Sequence, residues 1–177
     1  HAVGVGRAMK YYGHDGVSIS SQGESSTSEG YVYEAINGAS NEKLPVIFVF
    51  QDNGYGISVP KKDQTANIMA ATNFEGFKNL EIIYCNGRDV FNSMNAMALA
   101  KKYVKDNQQP VIVHANCVRM HSHSNSDRHD LYRDEVERDE ALGQDPLAKY
   151  RKRLTYSGLF SEDELNELDA KAKKTIS

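Results

Sequence analysis

The chain has 177 residues, 40% of them hydrophobic, and a formal charge of −3; this suits one domain with a core of ordinary size and excludes disorder throughout. The charge balance offers no basic footprint, so nucleic acid is not the expected partner. No signal peptide or long apolar span is visible, and Cys85 and Cys117 lack metal-ligand spacing, so a reduced, non-membrane setting of cytosolic type is expected.

In chain order, HAVGVGRAMKYY from His1 has helical character and opens without an initiating Met, which leads us to expect a fragment of a longer chain. Four short β-rich runs follow at Val17 to Ser20, Val46 to Phe50, Glu81 to Tyr84 and Val111 to His114. Their alternation with longer helix-like segments predicts an α/β fold, a parallel sheet layered with helices. Val46 to Phe50 is continuously apolar, as a central strand buried on both faces requires. One helix is expected from Thr27 or Ser28 to about Asn41, and another from an Asp89 cap to about Lys105, with Val90, Met94, Met97, Leu99 and Ala100 as its buried stripe. From Arg119 to Asp134 the chain turns polar and reads as a long loop. Residues 145–177 form a helical segment: Pro146 opens a helix that stops at Gly158, and a capping box of Ser161 with Glu164 starts the last one, with Leu165, Leu168 and Ala172 along one side.

Two turns follow strand-like runs: GESSTSEG from Gly23 to Gly30 and QDNGYGIS from Gln51 to Ser58. Ligands of open parallel sheets gather beyond the carboxyl ends of the strands, where both turns fall. Small hydroxyl residues Ser25, Ser26 and Thr27 then lead into a helix whose free N–H groups suit phosphate oxygens. Glu24 would repel a phosphate unless a cation stood between them. A carboxylate from Glu24, an amide oxygen from Asn53 and the Tyr55 carbonyl are hard oxygen ligands fit for Mg²⁺ or Ca²⁺. The bland alternative is a solvated carboxylate at Glu24 and a tight Asp-Asn-Gly turn.

The pair resembles the signature of thiamine diphosphate enzymes, Gly-Asp-Gly followed some two dozen residues on by Asn-Asn: Gly23-Glu24-Ser25 and Asp52-Asn53 stand in those places. GESSTSEG, LPVIFVFQDNGYGISVP and RMHSHSNSD together are similar to the alpha subunit of the decarboxylating component of 2-oxo acid dehydrogenase complexes, nearest the branched-chain and pyruvate types. The resemblance implies a diphosphate-binding domain over 1–177, with Mg²⁺ held by Glu24, Asn53 and the Tyr55 carbonyl. It places Gly23, Ser25, Ser26 and His123 at thiamine diphosphate, and makes residues 119–134 an active-site loop that brings His123 over the cofactor, where it contacts the diphosphate and is the catalytic residue. Ser25 stands where the family has a glycine, and a left-handed backbone there would strain it; Asp52 replaces the first Asn and is expected to serve the turn rather than the metal.

The implied function is oxidative decarboxylation of a 2-oxo acid with acyl transfer to a lipoyl acyltransferase component. It requires a beta subunit or fused beta-like domain to supply the activating glutamate, so these 177 residues alone are expected to be inactive. Without those partners an exposed apolar face is also expected. The implied compartment is the bacterial cytoplasm or the mitochondrial matrix. Ser124 matches a site phosphorylated in some animal members, and a phosphate there would repel the diphosphate. An acetoin-cleaving or transketolase-like enzyme, and a non-catalytic interaction domain that kept the fold, stay open.

Of the remaining polar residues, His121 is expected to support the loop, Arg128 and Arg133 to hold it through ion pairs, and His114 to be a satisfied core histidine. Tyr31 and Tyr33 read as packing residues, and Lys61, Lys62, Lys101 and Lys102 as solvated faces. The His-x-His of the loop with its carboxylates is a weaker candidate for a transition metal.

Overall fold

The computed structural model describes residues 1–176. In chain order its elements are α1 (Ala2–Tyr11), β1 (Ser18–Gly23), α2 (Gly30–Glu42), β2 (Val46–Asp52), β3 (Tyr55–Gly56), β4 (Val59–Pro60), β5 (Glu81–Asn86), α3 (Val90–Asn107), β6 (Val111–Asn116), α4 (Glu135–Leu142), α5 (Pro146–Tyr156) and α6 (Glu162–Ile176). The main sheet is parallel with order β1-β2-β6-β5, and β3 and β4 form a small antiparallel hairpin.

Both faces of β2 are covered because its apolar run is continuous: Val46, Ile47, Phe48 and Phe50 are all buried. Strand alternation sends Val46, Phe48, Phe50 and Ile112 to the side of Val32, Ile36 and Ala39 on α2. Ile47, Val111 and Val113 go to the side of Ala96, Ala100 and Val104 on α3. The step from β1 to β2 crosses the sheet in the opposite direction to the step from β5 to β6, so right-handed crossovers place α2 and α3 on opposite faces.

Four expectations from the sequence differ from the structure. Of the stripe expected on α3, Ala100 is buried and Met97 packs against the core, but Ala96 and Val104 complete the buried face while Met94 and Leu99 are 64% and 49% exposed. Small residues let this helix lie close to the sheet, and the large apolar side chains Phe91, Met94 and Leu99 are left as surface. On α2, Tyr33 does pack on Phe74, with ring centroids 4.6 Å apart, but Tyr31 is 65% exposed. Near the C-terminus the helices start as expected: Asp145 caps α5 and Ser161 exchanges bonds with Glu164. Leu165 is buried, but Leu168 and Ala172 are exposed. Helix α4 was not foreseen, although Asp134 accepts the Glu137 N–H as an ordinary N-cap.

Candidate functional site

Parallel register sets Gly23 beside Gln51 and Asp52 beside Asn116, so the turns after β1 and β2 open side by side at the carboxyl edge of the sheet. After Gly23 the chain tightens into a 3-10 turn, Ser25–Ser28, before α2 begins at Gly30. Thr27 fixes this turn, donating from its hydroxyl at 2.5 Å and its backbone N–H at 3.1 Å to the Glu24 carbonyl.

Glu24 is thereby turned inward and is 2% exposed. Its Oε2 accepts the Asn53 N–H at 3.1 Å, which joins the two turns directly. Its Oε1 is buried without a partner among the described residues. Burial pushes the carboxyl above its ordinary 4.5 and the charge of Asp52 adds to this, against the lowering effect of backbone N–H bonds and Lys61. A solvated turn carboxylate is therefore set aside. A buried carboxylate oxygen without a partner fits a group that would take a cation.

The other residues of the expected set lie close by. Asn53 accepts the Tyr55 N–H on Oδ1 at 3.3 Å, so its side chain braces the turn that carries the Tyr55 carbonyl. Ser25 has no positive φ, and the strain foreseen for a side chain there does not arise because the residue opens a 3-10 turn. Its carbonyl accepts from Gln64 at 2.7 Å, while its buried hydroxyl has no partner among the described residues. The hydroxyl rests against Gly56, where a Cβ would come within 2.2 Å of it. Two bare oxygens in adjacent residues, Glu24 Oε1 and Ser25 Oγ, fit a site built for a cation and an anion together.

Asp52 serves the turn, as expected, by accepting the Gly54 N–H at 3.1 Å. It also binds two groups that the sequence did not connect to it: Lys61 Nζ at 2.6 Å and His114 Nε2 at 3.0 Å, both on Oδ2. Burial raises the Asp52 carboxyl, but bonds from His114 and Lys61 outweigh it and hold the group below its ordinary 3.8. Lys61 is thus not a solvated lysine, and His114 is only half satisfied, since its buried Nδ1 has no partner among the described residues.

His123 is exposed on the polar loop, and its ring has no hydrogen-bond partner among the described residues. Its connection to the turns is indirect. The His123 N–H donates to Asp127 at 2.8 Å, Asp127 accepts from the Tyr132 hydroxyl at 2.7 Å, and Arg119 donates to that hydroxyl at 2.8 Å. Arg119 lies over the Tyr55 ring at 5.0 Å and donates to the Ile57 carbonyl at 2.6 Å. Beneath it, Arg133 bonds Glu137 and the Arg119 carbonyl, and Glu137 accepts from the Tyr55 hydroxyl at 2.9 Å. Of the two arginines expected to hold the loop, Arg133 is 4% exposed, whereas Arg128 forms a surface pair with Asp130. Arg119, Tyr132 and Glu137 were missed; the i,i+4 spacing of Arg133 and Glu137 was the one local signal for them. Among the described residues no three or more His, Cys, Asp or Glu gather as metal ligands, so nothing in the loop's geometry supports its transition-metal reading.

The fold and the paired turns define an α/β domain of the thiamine diphosphate-binding type. A family model described as dehydrogenase E1 component matches residues 1–177, and the chain belongs to that family. It is 32% identical over 173 residues to a 3-methyl-2-oxobutanoate dehydrogenase subunit alpha of Mycobacterium tuberculosis, covering 98% of this chain and 47% of the relative. It is 30% identical over 177 residues to the somatic, mitochondrial pyruvate dehydrogenase E1 component subunit alpha of Homo sapiens, covering 98% and 44%. For the type I form of Ascaris suum the identity is 29% over 174 residues, covering 98% and 43%. The chain spans about half the length of these curated relatives. No helix among the described residues is long and apolar enough to cross a membrane.

Proposed function

We propose that this chain supplies the metal and diphosphate site of a thiamine diphosphate-dependent 2-oxo acid dehydrogenase, as part of its alpha component. One observation carries the reading: Glu24 is buried at the end of β1 with Oε1 bare, while its other oxygen is tied to Asn53 at the end of β2. Glu24, the Asn53 side chain and the Tyr55 carbonyl are the groups that would hold Mg²⁺, which favours six oxygens and shares them with phosphates. Gly23 leaves the strand end open, and Ser25 and Ser26 with the N–H groups around the 3-10 turn would receive the diphosphate.

Bound thiamine diphosphate would supply the carbanion stabilisation that no side chain can offer. The chain's own groups place charge and exclude water: Glu24 provides a desolvated anion for the metal, and Asn53 fixes the turn. His123 would act as donor and acceptor over the reacting carbon once its loop closes. The names of the relatives point to a 2-oxo acid as substrate; transfer to a lipoyl domain and dependence on a beta-like partner are parts of the proposal. So is a compartment of bacterial-cytoplasmic or mitochondrial-matrix type.

Calorimetric titration of Mg²⁺ and thiamine diphosphate into the full-length protein with its partner tests the reading. Wild type should bind, and Glu24→Ala and Asn53→Ala should not, with their fold intact by circular dichroism. Absence of wild-type binding would favour an interaction domain instead. Turnover by the isolated 177-residue chain at the rate of the whole assembly would refute the need for a partner.

A further inference from the structure

Lys61 lies at the foot of the β3–β4 hairpin and grips it in two places. Its backbone N–H donates to the Gly54 carbonyl at 2.8 Å, and its ammonium donates to Asp52 Oδ2 at 2.6 Å. Asp52 completes the ring by accepting the Gly54 N–H on Oδ1. The excursion of residues 53–60, which carries Asn53 and the Tyr55 carbonyl, is thus closed at both ends by one ion pair. Asp52 is 4% exposed and directly precedes Asn53. Left without a counter-charge it would set a second buried anion beside Glu24, where a diphosphate must enter. Its other partner, His114 Nε2, also sits on Oδ2 and leaves the hairpin ungripped, because it projects from β6 beneath.

We propose that Lys61 is a positioning residue of the metal and diphosphate site: its ammonium neutralises Asp52 and locks the turn that presents Asn53 and Tyr55. The inference rests on the function proposed above. A single charge does two jobs here. It removes net repulsion toward the diphosphate, and it fixes the reach of the Tyr55 carbonyl without becoming a ligand itself.

The test uses the full-length protein with its partner, and reads the dissociation constant of Mg²⁺–thiamine diphosphate by calorimetry together with the melting temperature of the cofactor-free protein. Lys61→Met should weaken binding about tenfold, and Lys61→Arg should keep most of the affinity. Asp52→Asn combined with Lys61→Met should return to within about threefold of wild type, because the amide still accepts from Gly54 and needs no counter-charge. The KM for thiamine diphosphate should rise with Lys61→Met while that for the 2-oxo acid stays unchanged. Wild-type affinity in Lys61→Met, with or without a lower melting temperature, overturns the proposal, as does an additive loss in the double variant. Failure of wild type itself to bind sinks the reading of the site, and this inference with it.

Discussion

The ends of β1 and β2 each carry a buried carboxylate, Glu24 and Asp52, at 2% and 4% exposure, and the two are displaced in opposite directions from their ordinary ionisation. Asp52 is surrounded by donors from its own chain, Lys61, His114 and the Gly54 N–H, and is held as an anion. Glu24 receives one backbone N–H from Asn53 and keeps an oxygen bare, so burial makes its charge costly. Burial alone therefore does not mark a ligand. What separates the two is the source of the opposite charge: the fold provides it for Asp52, and under the function proposed above a metal ion would provide it for Glu24.

The sharpest way to break this contrast is to remove each charge in turn. Glu24→Gln should abolish Mg²⁺-dependent cofactor binding, a loss of about a hundredfold or more, and yet raise the melting temperature of the cofactor-free protein, because a costly anion is gone. Asp52→Asn should lower that temperature, since it strands Lys61 and His114. If both substitutions moved it the same way, the two carboxylates would not differ as described.

Acid titration of the cofactor-free protein separates them again. Glu24 binds its proton more tightly folded than unfolded, so its contribution to stability falls as pH rises from 4.5 through its raised folded value. Asp52 is depressed, so its contribution is fully present above 3.8 and is lost as pH falls through its folded value. Denaturant midpoints across this range should change less with pH above 4.5 in Glu24→Gln than in wild type, and Asp52→Asn should flatten the acid limb below 3.8.

How much of this was legible in the sequence divides along the same line. The strands, their parallel arrangement and the meeting of Glu24 with Asn53 follow from local pattern, because apolar runs and strand-end turns are local signals. The partners of Asp52 were hidden, since His114 lies 62 residues away and only the β2–β6 pairing brings it near. Lys61 was misread as solvated because its stem reaches back across a hairpin too short to show strand alternation. On α3 the expected stripe was half right: Ala100 is buried and Met97 packs on the core, whereas Met94 and Leu99 are surface and Ala96 and Val104 complete the buried face.

A smaller effect should come from the clamp between Tyr55 and the loop. Arg133 is buried and joined to Glu137 and the Arg119 carbonyl, so Arg133→Ala should cost about 2–3 kcal/mol of stability. The same change should raise hydrogen exchange across residues 119–134 while β1 and β2 stay protected. Protection unchanged in that loop would mean that Arg119 and Tyr132 hold it without the clamp.

The smallest change in affinity and stability is expected at His123, because its exposed ring has no hydrogen-bond partner among the described residues and only its backbone is tied, to Asp127. His123→Ala should leave the melting temperature within about 1 °C of wild type, as surface substitutions of this kind do, and should alter cofactor affinity little beside the loss in Glu24→Gln. Its effect should fall on turnover in the assembled enzyme if His123 acts as proposed, as a donor and acceptor over the reacting carbon. A large loss of cofactor affinity in His123→Ala would instead mean that the loop already closes over the two turns in solution and that His123 belongs to the same binding unit as Glu24.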